Sequence, residues 1–127
     1  MNERISRLKK DKKFFNDEFN QLKEFYKFKD ESEVCGFIEK SPELIIVLDE
    51  MKKSLKNKFP EAEFELLIDK DYEISEETLV LDIKVDEYTF DNGIMEGIHA
   101  INGEFRLLNQ KLGVVSKIFL MPALFTY

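Results

Sequence analysis

The runs E-A-E-F-E-L-L-I-D (residues 61–69) and L-V-L-D-I-K-V (residues 79–85) decide the fold. In the first, Ala62, Phe64, Leu66 and Ile68 alternate with Glu61, Glu63 and Glu65. In the second, Leu79, Leu81, Ile83 and Val85 alternate with Val80, Asp82 and Lys84. Side chains on a strand point to opposite faces in turn, so a period of two predicts two strands with one buried and one wet face. The joining stretch D-K-D-Y-E-I-S-E-E (69–77) is polar and short, which makes the pair antiparallel.

Outward from this hairpin the period becomes helical. Upstream, Ser41 as N-cap, Pro42 at the first helical position and Glu43 in the first turn open a helix. Its buried face is Leu44, Val47, Leu48, Met51 and Leu55, its last turns hold Lys52, Lys53, Lys56 and Lys58, and Phe59-Pro60 stops it. Residues 27–40 read as a polar connector with a short apolar element around Val34, Cys35, Phe37 and Ile38. Over residues 4–26, Ile5, Leu8, Phe15, Phe19, Leu22 and Tyr26 step by three and four, with Lys12 at the one missed position, predicting a long amphipathic helix. Downstream, Thr89 or Asp91 caps a helix whose face is Ile94, Ile98, Ile101, Phe105, Leu108 and Leu112, with Gly113 as the stop. The tail V-V-S-K-I-F-L-M (114–121) reads as a third strand that ends at Pro122. The expectation is one α+β domain over residues 1–127, in the order ααββαβ, with residues 1–13 a frayed basic arm.

Bulk composition bounds the function. The 127 residues contain 43% hydrophobic and 35% charged residues, enough for a soluble chain with a real core. A net charge of −7 argues against a general nucleic-acid binder. The charge is uneven: residues 1–13 hold six basic groups against Glu3 and Asp11, a balance of +4 that leaves −11 on the rest. A single cysteine, Cys35, fits a reducing compartment. No apolar run spans a bilayer and no secretory signal opens the chain, so a cytoplasmic protein without a membrane partner is expected.

The one histidine, His99, follows Glu96 by three residues, the spacing that carboxylate-bridged metal proteins use on a helix. At roughly 100° per residue, His99 lies about 140° and Glu96 about 200° from the apolar stripe, both toward solvent. With no second histidine the metal reading is set aside. The same count aligns Gly93, Gly97 and Ala100 along one flank of the stripe. Glycine costs roughly 0.8–1 kcal/mol in a helix interior, so such a strip points to close approach of another element or a partner. An EF-hand reading from Asp69 fails, because its sixth and twelfth positions would be Ile74 and Val80. Cys35 has no neighbouring histidine to activate it, and no phosphate loop or nucleophile elbow is present.

The stretch K-F-P-E-A-E-F-E-L-L-I-D-K-D-Y-E-I-S-E-E-T-L-V-L-D-I (58–83) resembles a pattern found in small uncharacterised prokaryotic α+β proteins. Those share a helix ending in a Phe-Pro turn, a Leu-rich strand, an acidic loop, a second strand and a helix. Lys70-Asp71-Tyr72-Glu73 departs from their loop by lacking proline, and the aromatic pair of their next helix is missing. The resemblance implies one member of a two-gene system such as a toxin–antitoxin pair, and it implies no site residues.

With no catalytic constellation, no cofactor and no small-molecule ligand indicated, the sequence points to a non-enzymatic protein–protein interaction module, self-associating as a homodimer or bound to another protein. The expected contact residues are Phe15, Phe19 and Leu22 on the first helix, Gly97 and Ala100 on the glycine flank, and Phe119, Met121 and Phe125 in the tail, where exposed apolar surface would mark a contact. The alternative is a nucleic-acid-binding or nuclease-associated regulator that meets phosphates with Arg4, Arg7, Lys9, Lys10 and Lys13.

Overall fold

A computed structural model describes residues 2–71, 73 and 76–125. Tyr72, Ile74 and Ser75, at the tip of the acidic loop, lie outside the described residues, as do Met1, Thr126 and Tyr127. The chain runs α1 (Asn2–Lys10), α2 (Lys12–Leu22), β1 (Lys27–Phe28), α3 (Glu31–Lys40), α4 (Glu43–Lys58), β2 (Glu63–Asp71), β3 (Glu76–Val85), α5 (Glu87–Asp91), α6 (Ile94–Leu112) and β4 (Ile118–Leu124). The strands form one sheet in the order β1-β2-β3-β4. The outer pairs are parallel and the central β2–β3 pair is antiparallel.

The period-two pattern sets the register. Phe64 lies opposite Ile83, Leu66 opposite Leu81, and Ile68 opposite Leu79, all on the face that the helices cover. Ile118 and Leu120 of β4 join them. Helix α4 crosses the middle of that layer, between α2 and α6. Its opening residues Leu44 to Leu48 are all buried, because neighbours meet it on every side. Tyr26 donates from its hydroxyl to the Leu48 carbonyl oxygen at 2.6 Å, which satisfies a phenol otherwise sealed in apolar surroundings. Burial first, and then nearby Asp49, hold that phenol's pKa far above its ordinary value. One continuous apolar cluster runs from Leu8 to Leu120.

Where the structure departs from the ααββαβ expectation, local chemistry supplies the reason. The expected helix over 4–26 breaks at Asp11, whose backbone is extended and whose carboxylate accepts from the Phe14 N–H at 3.1 Å. Aspartate is a strong N-cap, and the break falls beside Lys12, the position that interrupts the apolar stripe. Residues 2–10, expected as part of a frayed basic arm, form helix α1. Leu8 is buried, Arg4 pairs with Glu18 at 3.0 Å and Asp49 at 3.2 Å, and Lys9 pairs with Glu43 at 2.7 Å. Those acids sit on α2 and α4, so the basic run is matched to the helices beneath it.

The supposed connector 27–40 holds strand β1 and helix α3, which Asp30 caps through the Glu33 N–H at 3.1 Å. Pro42, rather than Ser41, occupies the cap position of α4, while the Ser41 hydroxyl accepts from Lys117 Nζ at 2.7 Å. The helix expected after Thr89 or Asp91 is two pieces. Asp86 caps α5 through the Thr89 N–H at 2.8 Å, and Gly93, at φ 98°, turns the chain into α6 in a conformation open to glycine. At its other end α6 stops at Gly113 (φ 72°), with Val114 N–H bonded to the Asn109 carbonyl at 3.0 Å.

Strand β4 starts later than expected and passes through Pro122 instead of stopping there. The hydrogen bonds at its two ends explain the tolerance. The Lys117 carbonyl accepts from Leu79 N–H at 2.8 Å, and Phe125 N–H donates to the Val85 carbonyl at 3.1 Å. Alternation then turns the backbone groups of Phe119, Met121 and Ala123 toward β3, and those of Ile118, Leu120, Pro122 and Leu124 outward. Among the described residues no strand lies beyond β4, so the hydrogen that Pro122 lacks is one the sheet never needed.

Candidate interaction surface

Helices cover one face of the sheet, and the other carries the alternate residues. Across the strands it reads in rows. Leu67, Val80 and Phe119 form one, Glu65, Asp82 and Met121 the next, and Glu63, Lys84 and Ala123 the third. Lys27 of β1 lies beside Glu65. Lys84 pairs with Glu65 at 3.0 Å, and Lys27 pairs with Glu63 at 2.8 Å. That contact keeps the Glu63 carboxyl below its usual range. Asp82 has no such bond among the described residues. Burial, and then Glu65 directly opposite, push its carboxyl up, against weaker opposition from Lys84 and Lys29. Two like charges facing each other across a pair of strands are unfavourable.

The apolar part of this side is concentrated on β4. Phe119 and Met121, adjacent on this face, are each 48% exposed; Leu124, 49% exposed, lies at the end of β4 on the side of Val85 that the helices cover. Beside them, between the outer edge of β4 and α6, lies a cleft of about 240 Å³ lined by Asn102, Arg106, Asn109, Val115 and residues 118–120. Arg106 is exposed and makes no ion pair among the described residues. The Oδ1 atom of Asn109 is buried with no hydrogen-bond partner there.

The other expected contact residues are placed differently. Phe15, Phe19 and Leu22 are buried, with Phe15 and Phe19 stacked at 6.1 Å, so they serve the core and present nothing to a partner. Gly97 faces the chain's own Phe59: an added Cβ would sit 2.5 Å from the ring's Cζ, which accounts for the glycine. Ala100 is exposed and lines a shallow cleft with Ser54 and Glu104, whose carboxylate accepts from the Ser54 hydroxyl at 2.6 Å. Phe125 is half-buried at the end of β4, beside Phe59 and Val85.

Among the expected phosphate-contact residues, Arg4 and Lys9 are held by the acids already described. Arg7 pairs with Asp11 at 3.7 Å and lies over the Phe14 ring at 4.1 Å. Lys10 and Lys13 remain exposed. Glu96 and His99 are both exposed on α6. No group of three or more His, Cys, Asp or Glu side chains among the described residues is placed to hold a metal ion. Burial and Glu39 raise the Cys35 thiol above its ordinary pKa, the opposite of what a nucleophile needs. Among the described residues no helix is long and apolar enough to cross a membrane.

Sequence patterning singled out Phe119 and Met121 because apolar residues crowd the tail. It missed Arg106 and Asn109, because polar residues on a helix carry no signal until the neighbouring strand is placed. No protein-family model matches the chain, and no curated protein or solved structure matches it either.

Proposed function

We propose that the protein is a non-enzymatic interaction module and that β4 is its contact element. One observation carries this reading: an edge strand, with no strand beyond it among the described residues, holds Phe119 and Met121 side by side on the open face and about half exposed. Exposed apolar side chains that adjoin one another mark contact surfaces more often than scattered ones do. The internal pairing of Arg4, Arg7 and Lys9 weighs against the phosphate-binding alternative, since those charges already have partners. A cytoplasmic location and a partner encoded beside this chain belong to the same reading.

The test is a Phe119→Ser/Met121→Ser double variant. Its thermal unfolding temperature should fall far less than that of a core truncation such as Leu81→Ala, because both side chains are about half exposed. Affinity capture from host lysate, with sedimentation of each protein alone, should show a partner or a self-associated species that the double variant loses. A monomeric wild type whose captured proteins are the same as the variant's would reject the proposal.

A further inference from the structure

We infer that the cleft between β4 and α6 takes an extended peptide carrying a carboxylate, which adds to the sheet as a fifth strand. This rests on β4 being the contact element and names what sits there. Three features converge. The backbone groups of Ile118 and Leu120 point away from β3, with no strand beyond them among the described residues. The residues are 5% and 7% exposed and line the cleft, so a peptide that enters it meets two N–H groups and two carbonyls in strand geometry. That is the main-chain template that strand addition uses. Pro122 removes the next outward donor, which limits the ladder to the stretch beside the cleft.

The side chains above that stretch fit a peptide with an acid in it. Arg106 lines the cleft without an ion pair among the described residues, on a chain whose net charge is −7. Guanidinium binds carboxylate through two parallel hydrogen bonds, so it selects an acid by geometry as well as charge. The Asn109 amide has an oxygen with no partner among the described residues. Phe119 and Val115 supply apolar contact on the flanks. A second copy is the competing occupant. Paired edge to edge and centred on Leu120, it would set Pro122 against Ile118 and leave the Ile118 carbonyl without a donor.

The experiment selects binders from a displayed library of random octapeptides against the full-length protein. Selected peptides should share an Asp or Glu at one position, and binding should slow amide exchange at Ile118 and Leu120. N-methylation of the peptide's pairing residues should weaken binding at least about tenfold, as loss of ladder bonds to wild-type protein requires. Selection against Arg106→Gln should lose the acidic position while the protein remains folded. Recovery of no binder, indifference to N-methylation, or binding mapped elsewhere overturns the proposal. So does sedimentation showing the edge occupied by a second copy. If the peptide arm fails while the Phe119/Met121 capture arm succeeds, β4 remains the contact element and strand addition alone is rejected.

Discussion

Leu66 and Leu81 face each other on one side of the β2–β3 hairpin, and one residue along, Glu65 and Asp82 face each other on the other. The first pair is sealed beneath the helices and holds the sheet to them. The second sets two carboxylates opposite each other on a half-open face, where they oppose pairing. Strand alternation thus places a strongly stabilising position and a mildly unfavourable one next to each other. Stability and surface chemistry can therefore be altered separately on the same strands.

The largest separation should come from Leu81→Ala against Phe119→Ala. Leu81 is fully buried, so its truncation should cost about 2–5 kcal/mol in chemical denaturation. Phe119 is half exposed and should cost far less; equal losses would mean that the open face is in fact packed. A smaller contrast lies within α6. Gly97→Ala forces the Phe59 ring to move and should destabilise by about 1–3 kcal/mol. Gly103→Ala meets open space and should stabilise by roughly 0.5–1 kcal/mol, from helix propensity alone. Urea midpoints of the two variants that shift in the same direction would contradict the Phe59 contact.

The smallest effect is the most specific. Asp82→Asn should raise stability at neutral pH by roughly 0.2–1 kcal/mol, by removing one of two facing charges. The folded-state pKa of Asp82 is raised, so the folded protein holds that proton more tightly than the unfolded chain does. The penalty is therefore full above the raised folded value and disappears as pH falls through it toward the ordinary aspartate value. The advantage of the Asp82→Asn variant over the wild type should shrink across that acidic window. An advantage that grew on acidification would show the sign to be wrong. Using the difference between the two proteins cancels the opposite contributions of Glu43 and Asp86, whose pKa values are lowered.

Much of the fold was legible because it rests on short-range periodicity. The alternation at Phe64–Ile68 and Leu79–Val85 defined both central strands and their buried face, and the stripe from Ile94 to Phe105 defined the core side of α6. What escaped was set by single polar contacts or by tertiary pairing. Asp11 breaks a stripe that otherwise reads through, and two residues of β1 become a strand only because Leu66 accepts from Lys29 N–H at 3.0 Å. Of the candidate surface, Phe119 and Met121 were visible as apolar residues without a helical or central-strand role. The glycine flank was visible too, but its neighbour was Phe59, thirty-eight positions away in the chain and brought close only by the packing of α4 on α6.

Pro122 has a consequence for the protein in bulk. Chains that expose a flat strand rich in phenylalanine, leucine and methionine can nucleate fibrils by stacking edge on edge, each copy templating the next. Here one edge of the sheet is only two residues long and the other is missing a hydrogen partway along its outer side. A growing ribbon would gain few bonds at the first edge and meet a gap at the second. The ring that makes β4 an irregular strand thus takes away one of the bonds that edge-on-edge stacking would use.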